Sequence, residues 1–213
     1  MLPINVKKFE ANDDFYRGVL FSLPLVGLLL SLILIGLFYI LPLPMLYKSL
    51  FCAIFYLVSY GFLHLEAVCD TIDGYFASLS KKDVHTIMHE PQVGAIGAIG
   101  GFCFIVLKIS ALAYLLYFEH YIAIVCAIVF SRFSLFFALD LKYHKDSHFI
   151  QSIQKSFHTP FLIKLLFLPF SLLTKIILTL IKKKIGFLNG DTLGFNIEIQ
   201  EIIYLNIAIM LLI

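Results

Sequence analysis

Long apolar stretches alternate with short polar segments along the whole chain. A helix needs ~20 apolar residues to cross a bilayer, and four stretches come close to that length: 19–41, 45–63, 93–117 and 121–139. A further stretch, 161–181, contains Lys164, Pro169 and Lys175, so we expect it to be broken, re-entrant or interfacial. A last helix is predicted to end at Ile213. The pattern predicts an all-α, polytopic membrane bundle with about six transmembrane or membrane-embedded helices.

Two longer polar segments, 64–92 and 140–159, separate the apolar stretches. The alternation places both on the same side as the N-terminal segment, and their lysines and arginines make that side cytoplasmic under the positive-inside rule. Lys182–Lys184 return to this side only if 161–181 does not cross the membrane completely. Because no repeat or linker divides the chain, we expect residues 1–213 to form a single membrane-embedded domain.

Composition supports a membrane location. Hydrophobic residues make up 61% of the chain and charged residues 14%, whereas soluble domains carry about 25% charged residues. The charged residues before the first apolar stretch, and the length of that stretch, favour a first transmembrane helix over a removed signal peptide. The expected partner is therefore the lipid bilayer, and no nucleic-acid partner is expected.

The segment from His64 to Gly74 concentrates carboxylates beside a membrane span. At about 100° per residue, Glu66, Asp70 and Asp73 fall within roughly 60° of one another on a helix. Their mutual repulsion calls for a cation, and a hard divalent ion such as Mg²⁺ is the usual partner of oxygen ligands. A solvated acidic helix face is the alternative that the spacing alone leaves open.

Four short blocks stand in a characteristic order. Residues 24–27 read PLVG, residues 64–74 read HLEAVCDTIDG, and residues 87–97 read IMHEPQVGAIG. Residues 190–194 read GDTLG and are followed by Glu198 and Glu201. These blocks resemble the F-P-L-V-G, H-x-D-G-L-A-D-T-x-D-G, I-M-K-D-S-x-x-G-x-x-G and G-D-x-L-G-x-x-x-E-x-x-E elements of the cobalamin synthase family. That family comprises the adenosylcobinamide-GDP ribazoletransferases, and the resemblance covers most of the chain.

The resemblance implies a Mg²⁺-dependent phosphotransferase. Such an enzyme transfers the adenosylcobinamide phosphate moiety of adenosylcobinamide-GDP to α-ribazole or α-ribazole 5'-phosphate and releases GMP. The implied setting is the bacterial inner membrane, with the active site facing the cytoplasm, and a homo-oligomer is left open. The implied catalytic residues are Glu66, Asp70 and Asp73. The implied metal ligands are Glu66, Asp70, Asp73, Glu90, Asp191 and Glu198, and the implied substrate-binding residues are His64, Glu90, Gly94, Lys108, Arg132 and Asp191.

Several of these assignments have alternatives. Lys108 lies inside the third apolar stretch, where a lysine binds a substrate phosphate or balances the carboxylates, or else extends its amine to the membrane surface. Arg132 either binds phosphate or forms a structural ion pair. Asp191, Glu198 and Glu201 share one helix face within about 80°, which is either a second carboxylate face closing on the first or a polar helix start with Asp191 as its N-cap.

The chain departs from the family pattern at five positions. Glu66 and Glu90 stand where the pattern has aspartate, Ala67 where it has glycine, and Pro91 where it has serine. Gln92 stands where arginine is common, which removes a bidentate phosphate-binding group. Every carboxylate position of the pattern still carries a carboxylate, so we expect a working enzyme.

Two other functions remain as alternatives. Asp70-x-x-Asp73-Gly74 resembles the opening of the CDP-alcohol phosphotransferase motif, but an Ala-Arg pair does not follow, since residues 75–78 read YFAS. A small membrane transporter would use Lys108 and the acids as an ion path. A transporter should also show inverted repeats, which the sequence lacks.

Overall fold

The computed structural model describes residues 13–90, 92–143 and 148–212, and within these ranges all regular secondary structure is helical. The described helices are α1 (Asp13–Ile40), α2 (Met45–Ser59), α3 (Leu63–Leu79), α4 (Val84–Met88), α5 (Ala95–Tyr117), α6 (Tyr121–Phe133), α7 (Leu135–Ala138), α8 (His148–Ser156), α9 (Phe161–Leu166), α10 (Leu168–Ile185) and α11 (Gly190–Leu212). The predicted all-α class is confirmed.

Four helical segments are long and apolar enough to cross a membrane. They are α1, α5, α6 continued by α7, and α11. A fifth span is possible if α2 and α3 count as one span bent by 79°. Among the described residues this gives four or five spans, which refines the expected number of about six membrane-embedded helices.

The span expected over 45–63 is shorter than predicted. Helix α2 ends at Ser59, and the next residues Gly61 and Phe62 have φ angles of 69° and 60°. This left-handed backbone costs glycine little and turns the chain sharply into α3. The turn carries the acidic residues of α3 out of line with α2.

The break predicted in 161–181 is present. Helix α9 ends at Leu166, and α10 begins at Leu168 with Pro169 in its first turn, a position that proline tolerates. The last turn of α10 contains Lys182–Lys184, and this helix is not among those apolar enough to cross a membrane.

The main core lies between α1, α2, α5, α6 and α11. Its fully buried members include Phe38, Tyr56, Leu112, Ile128 and Leu205, one from each helix. The outer surface is also apolar, as expected for a lipid-facing bundle, because Leu25, Leu29 and Leu32 of α1 are 55–64% exposed.

Small residues bring α3 close to α5 and α11. A Cβ atom on Gly97 would lie 2.7 Å from the Cys69 carbonyl oxygen, and one on Gly194 would lie 2.8 Å from the Ala67 Cβ atom. Both distances are too short for real contacts, so glycine is what permits this helix spacing. The contact also pairs Ala67, where the family pattern has glycine, with a glycine on α11.

We expect Gly194→Ala to lower the unfolding free energy by about 1–3 kcal/mol, because the new methyl group overlaps Ala67. The double variant Ala67→Gly/Gly194→Ala should recover most of this loss. The control is Gly36→Ala in α1, which has open space around its Cα and should be neutral or slightly stabilising, since alanine favours a helix over glycine. Thermal unfolding in detergent measures all three, and a destabilised double variant would contradict the packing argument.

Candidate active site

Asp73 fixes α3 to the start of α5. Its Oδ2 accepts the backbone N–H of Gly94 at 2.7 Å, and its Oδ1 accepts that of Gly97 at 2.8 Å. The first N–H groups of a helix have no intrahelical partner and attract negative charge. Asp73 therefore satisfies two of these groups, although a carboxylate retains further lone pairs.

Three other predicted acids lie near one another in what we call the acidic cluster: Glu66, Asp70 and Asp191. The strongest negative charges acting on Asp70 come from Asp191, Glu66 and Asp73, and His89 opposes them. In the described part of the chain, no lysine or arginine forms an ion pair with the acidic cluster. The cluster therefore concentrates negative charge without a protein cation.

The start of α11 is capped by Asn189 rather than by Asp191. The Asn189 side-chain oxygen accepts the Thr192 N–H at 3.0 Å, and the Asn189 N–H donates to Thr192 Oγ1 at 2.9 Å. The alternative that Asp191 is the N-cap is therefore wrong. Asp191 Oδ2 accepts a hydrogen bond from Asn189 Nδ2 at 2.8 Å, while its charge acts on Asp70.

A second group of charges lies inside the bundle, and we call it the buried ion cluster: Lys108, Arg132, Glu198 and Glu201. Lys108 Nζ lies 2.6 Å from Glu198 Oε2 and 3.0 Å from Glu201 Oε1. Arg132 Nη1 lies 3.0 Å from Glu201 Oε2. These side chains are at most 4% exposed, and the two cations match the two carboxylates in charge.

Neutral side chains complete the buried ion cluster. Tyr56 donates its hydroxyl to Glu201 Oε1 at 2.9 Å and accepts from Arg132 Nη2 at 3.2 Å. Tyr60 accepts from Lys108 Nζ at 3.1 Å. Sequence reasoning missed both tyrosines, although their spacing of four residues in an apolar stretch is a signal for one polar helix face.

The contacts of Lys108 and Arg132 support one of the alternatives for each residue. The three Lys108 donors have partners in Glu198, Glu201 and Tyr60. Its Nζ therefore has no free donor for a phosphate, and its position supports charge balance. Arg132 likewise forms a structural ion pair. Glu198 was predicted as a metal ligand, but its Oε2 is taken by Lys108 and its Oε1 by His64.

His64 connects the buried ion cluster to a cavity. Its Nδ1 lies 3.2 Å from Glu198 Oε1. Because a carboxylate only accepts, Nδ1 must carry the proton in this hydrogen bond. The His64 side chain also lines the cavity described next.

Two cavities lie on different faces of α3. The first, of about 310 Å³, is lined mainly by apolar side chains from α1, α8 and α11, and also by His64, Ala67 and Asp191; we call it the apolar cavity. The second, of about 550 Å³, is lined by side chains that include Asp73, Ser80, Lys82, Glu90 and Gln92, and by Gly94; we call it the polar cleft.

The polar cleft is bordered by the short helix α4. Asp83 caps this helix, since its side chain accepts from Thr86 Oγ1 at 2.7 Å and from the His85 N–H at 3.1 Å. The hydrogen bond from the Thr86 hydroxyl, followed by that from its amide, lowers the pKa of the Asp83 carboxyl. The predicted residues Glu90 and Gly94 thus lie at the polar cleft, beside Asp73.

The acidic cluster suits Mg²⁺ in its chemistry, since all its donors are carboxylate oxygens. Among the described residues, no group of three or more His, Cys, Asp or Glu side chains is gathered closely enough to hold a metal. Mg²⁺ in phosphoryl-transfer sites usually binds one or two carboxylates and takes its remaining ligands from water and substrate phosphates. The acidic cluster fits this arrangement.

Comparison with known proteins gives consistent results. The sequence model of the cobalamin-5-phosphate synthase family matches residues 1–209. The chain is similar to the adenosylcobinamide-GDP ribazoletransferase of Treponema denticola, with 30% identity over 96% of this chain and 92% of that protein. Proteins of the same name from Clostridium botulinum strain Kyoto and Alkaliphilus oremlandii are 31% and 29% identical, over 99% of this chain and 93% of theirs. No solved structure matches the chain.

Proposed function

This chain belongs to the cobalamin-5-phosphate synthase family, and we propose that it joins adenosylcobinamide-GDP to α-ribazole or α-ribazole 5'-phosphate and releases GMP. The observation that carries this proposal is that Glu66 and Asp70 of the family's acidic block lie near Asp191 of its last block. Among the described residues, no lysine or arginine forms an ion pair with these three acids. The relatives are named as ribazoletransferases, which favours neither a CDP-alcohol phosphotransferase nor a transporter.

The reaction is a displacement at phosphorus. A ribose hydroxyl of the acceptor forms a bond to the phosphorus that carries cobinamide, and its proton passes to His64 Nε2 or to water. The bond from that phosphorus to the bridging oxygen breaks, and GMP leaves with the electron pair. Asp70, together with Glu66 or Asp191, would hold Mg²⁺ here, with water and substrate phosphates as its other ligands, and the ion would neutralise the phosphate oxygens as charge moves to GMP.

The protein groups around the acidic cluster orient the reactants. Asp73 holds α3 against the start of α5 through two backbone N–H groups, so Asp70 is carried on a fixed helix. His64 is held by Glu198 with its free nitrogen available to the cavity. That nitrogen is positioned to hydrogen-bond the attacking hydroxyl, because Glu198 fixes the orientation of the ring.

Product analysis tests this function. Purified protein in lipid vesicles is supplied with adenosylcobinamide-GDP, α-ribazole and Mg²⁺, and we expect GMP and one new corrinoid to form in equal amounts. The same protein is supplied with CDP-diacylglycerol and an alcohol as a control, and no CMP should form. CMP release without GMP release would contradict the proposal.

We also propose that the acidic cluster faces the cytoplasm of a bacterial inner membrane. The loop between α10 and α11 is short, so Lys183 and Asp191 should lie on the same side. After replacement of the native cysteines, Lys183→Cys should resist an impermeant thiol reagent in intact cells and react after permeabilisation. Glu119→Cys, at the other end of the span α5, is the matched control and should react in intact cells. Reversed labelling would contradict this topology.

Restoring the family's arginine should strengthen donor binding. Gln92 is exposed at the polar cleft, and we expect Gln92→Arg to lower the KM for adenosylcobinamide-GDP about tenfold, since a charge-assisted contact contributes roughly 1.5–3 kcal/mol. Gln92→Lys should give a smaller gain, because lysine cannot make a bidentate contact. Steady-state kinetics measure both, and an unchanged KM in both variants would remove Gln92 from the donor site.

A further inference from the structure

The apolar cavity has walls of very different character. Helices α1, α7 and α8, with the residue that follows α7, contribute only aliphatic side chains: Val19, Leu20, Leu23, Leu135, Leu139, Ile150 and Ile153. The wall formed by α3 and α11 carries His64 and Asp191. These are the only polar side chains among the described residues that line the cavity. The cavity is therefore an aliphatic pocket with polar groups on one wall.

The size and chemistry of the apolar cavity limit its occupant. Its volume of about 310 Å³ is at the lower end of the roughly 300–1,000 Å³ typical of ligand sites. It therefore suits one small ring system rather than a corrinoid. Guanine would bury several donors and acceptors against aliphatic walls, and each unsatisfied group costs about 1–3 kcal/mol. A base without hydrogen-bonding groups on its outer edge would bury only apolar surface there.

The position of the apolar cavity links it to the chemistry. Asp191 belongs both to its wall and to the acidic cluster, and His64 lies on the same wall. A nucleoside with its base among the aliphatic side chains would therefore present its ribose to His64 and the acidic cluster. The polar cleft lies along another part of α3 and offers Ser80, Lys82 and Gln92, which suit a guanine nucleotide.

We propose that the apolar cavity binds the base of the acceptor nucleoside and selects an apolar bicyclic aromatic base. This proposal rests on the proposed function and deepens it by placing the acceptor. It also implies that donor and acceptor approach α3 from different faces and meet at Asp70. The dimethylated benzimidazole of α-ribazole has the required chemistry, since its outer ring carries only carbon and hydrogen.

The experiment varies cavity size and base size together. Leu23 of α1 lines the cavity, and Leu25 of the same helix is 64% exposed on the lipid-facing surface. We expect Leu23→Phe to raise the KM for the dimethylbenzimidazole nucleoside at least tenfold. The increase should be clearly smaller for the unsubstituted benzimidazole nucleoside, and the KM for adenosylcobinamide-GDP should not change. The control Leu25→Phe should change none of these values.

A substitution that enlarges the cavity keeps the proposal testable if Leu23→Phe fails to fold. Leu23→Ala enlarges the cavity and should lower the KM for a bulkier naphthimidazole nucleoside relative to that for benzimidazole. Equal effects of Leu23→Phe on all acceptors, or an effect on the donor KM alone, would overturn the assignment. So would unchanged kinetics in both Leu23 variants, the result expected if a lipid chain fills the cavity.

Failure of the proposed function would appear differently. In that case the wild-type protein would release no GMP with any acceptor. Equilibrium dialysis of the radiolabelled dimethylbenzimidazole nucleoside against wild-type protein and Leu23→Phe would still test the cavity directly. Weaker binding to Leu23→Phe than to Leu25→Phe supports the assignment, and equal binding to both overturns it.

Discussion

Replacing Lys108 by methionine should destabilise the folded protein by about 3–5 kcal/mol, because breaking a buried ion pair leaves an uncompensated charge. Lys108 Nζ contacts carboxylates of both Glu198 and Glu201, and its side chain is 1% exposed. Without it, Arg132 alone would face two buried carboxylates. We expect Lys108→Met to lower the yield of folded protein and its melting temperature in detergent.

A second substitution tests whether Lys108 balances the buried carboxylates or contacts the substrate. Glu198→Gln removes one negative charge but keeps an oxygen that accepts the His64 Nδ1–H hydrogen bond. Lys108→Met/Glu198→Gln should therefore recover most of the lost stability, since a buried pair replaced as a whole is often close to neutral. Lys48→Met in α2 is the control, because Lys48 lies over the Phe38 ring and forms no ion pair within the described ranges. A Lys108→Met variant as stable as wild type would contradict charge balance.

The sequence predicts the helical class and the acidic face of α3 because both depend on local spacing. Apolar length identifies three of the four long spans, α1, α5 and α6 with α7, and the offsets of Glu66, Asp70 and Asp73 place them on one face. The turn at Gly61 and Phe62 is not visible in this way, since it lies within one continuous apolar stretch. The hydrophobicity of a stretch indicates that it lies in the membrane, but it does not show where the chain turns within that stretch.

The spacing of residues predicts which side chains share a helix face, but it does not show how deep in the bundle each side chain lies. Asp191 and Glu198 share a face, but at 1.5 Å per residue they lie about 10 Å apart along α11. Asp191 therefore meets the acidic cluster, while Glu198 reaches Lys108 inside the bundle. Lys108 and Glu198 are 90 residues apart in sequence, so only the packing of α5 against α11 shows that they are partners.

The three acids of α3 look equivalent in sequence and differ in the structure. Asp73 accepts two backbone N–H groups, whereas Asp70 faces other acids. The difference arises from the close approach of α5, whose first residues reach one side of α3 only. Mutations in these two residues should therefore have different consequences, and this provides the sharpest test of the metal proposal.

Asp70→Asn should lower kcat at least about a hundredfold, in the range seen when a group that stabilises transition-state charge is removed. Asparagine keeps the shape of the side chain and removes the anionic oxygen that would hold Mg²⁺. Because the loss concerns charge that develops as GMP leaves, kcat and kcat/KM should fall together while KM changes little. The fold should persist, since the substitution relieves repulsion with Asp191 and Glu66.

Thermal stability provides a readout of Asp70→Asn besides activity. Mg²⁺ should raise the melting temperature of the wild-type protein and not that of Asp70→Asn, because only a protein with a site is stabilised by its ligand. Asp73→Asn should instead lower the melting temperature without Mg²⁺, since the side-chain amide keeps only one acceptor oxygen and the N–H of Gly94 or Gly97 loses its partner. Glu119→Gln, at the far end of α5, controls for loss of one negative charge. Full turnover by Asp70→Asn, or by the wild-type protein in excess chelator, would rule out a Mg²⁺ site at Asp70.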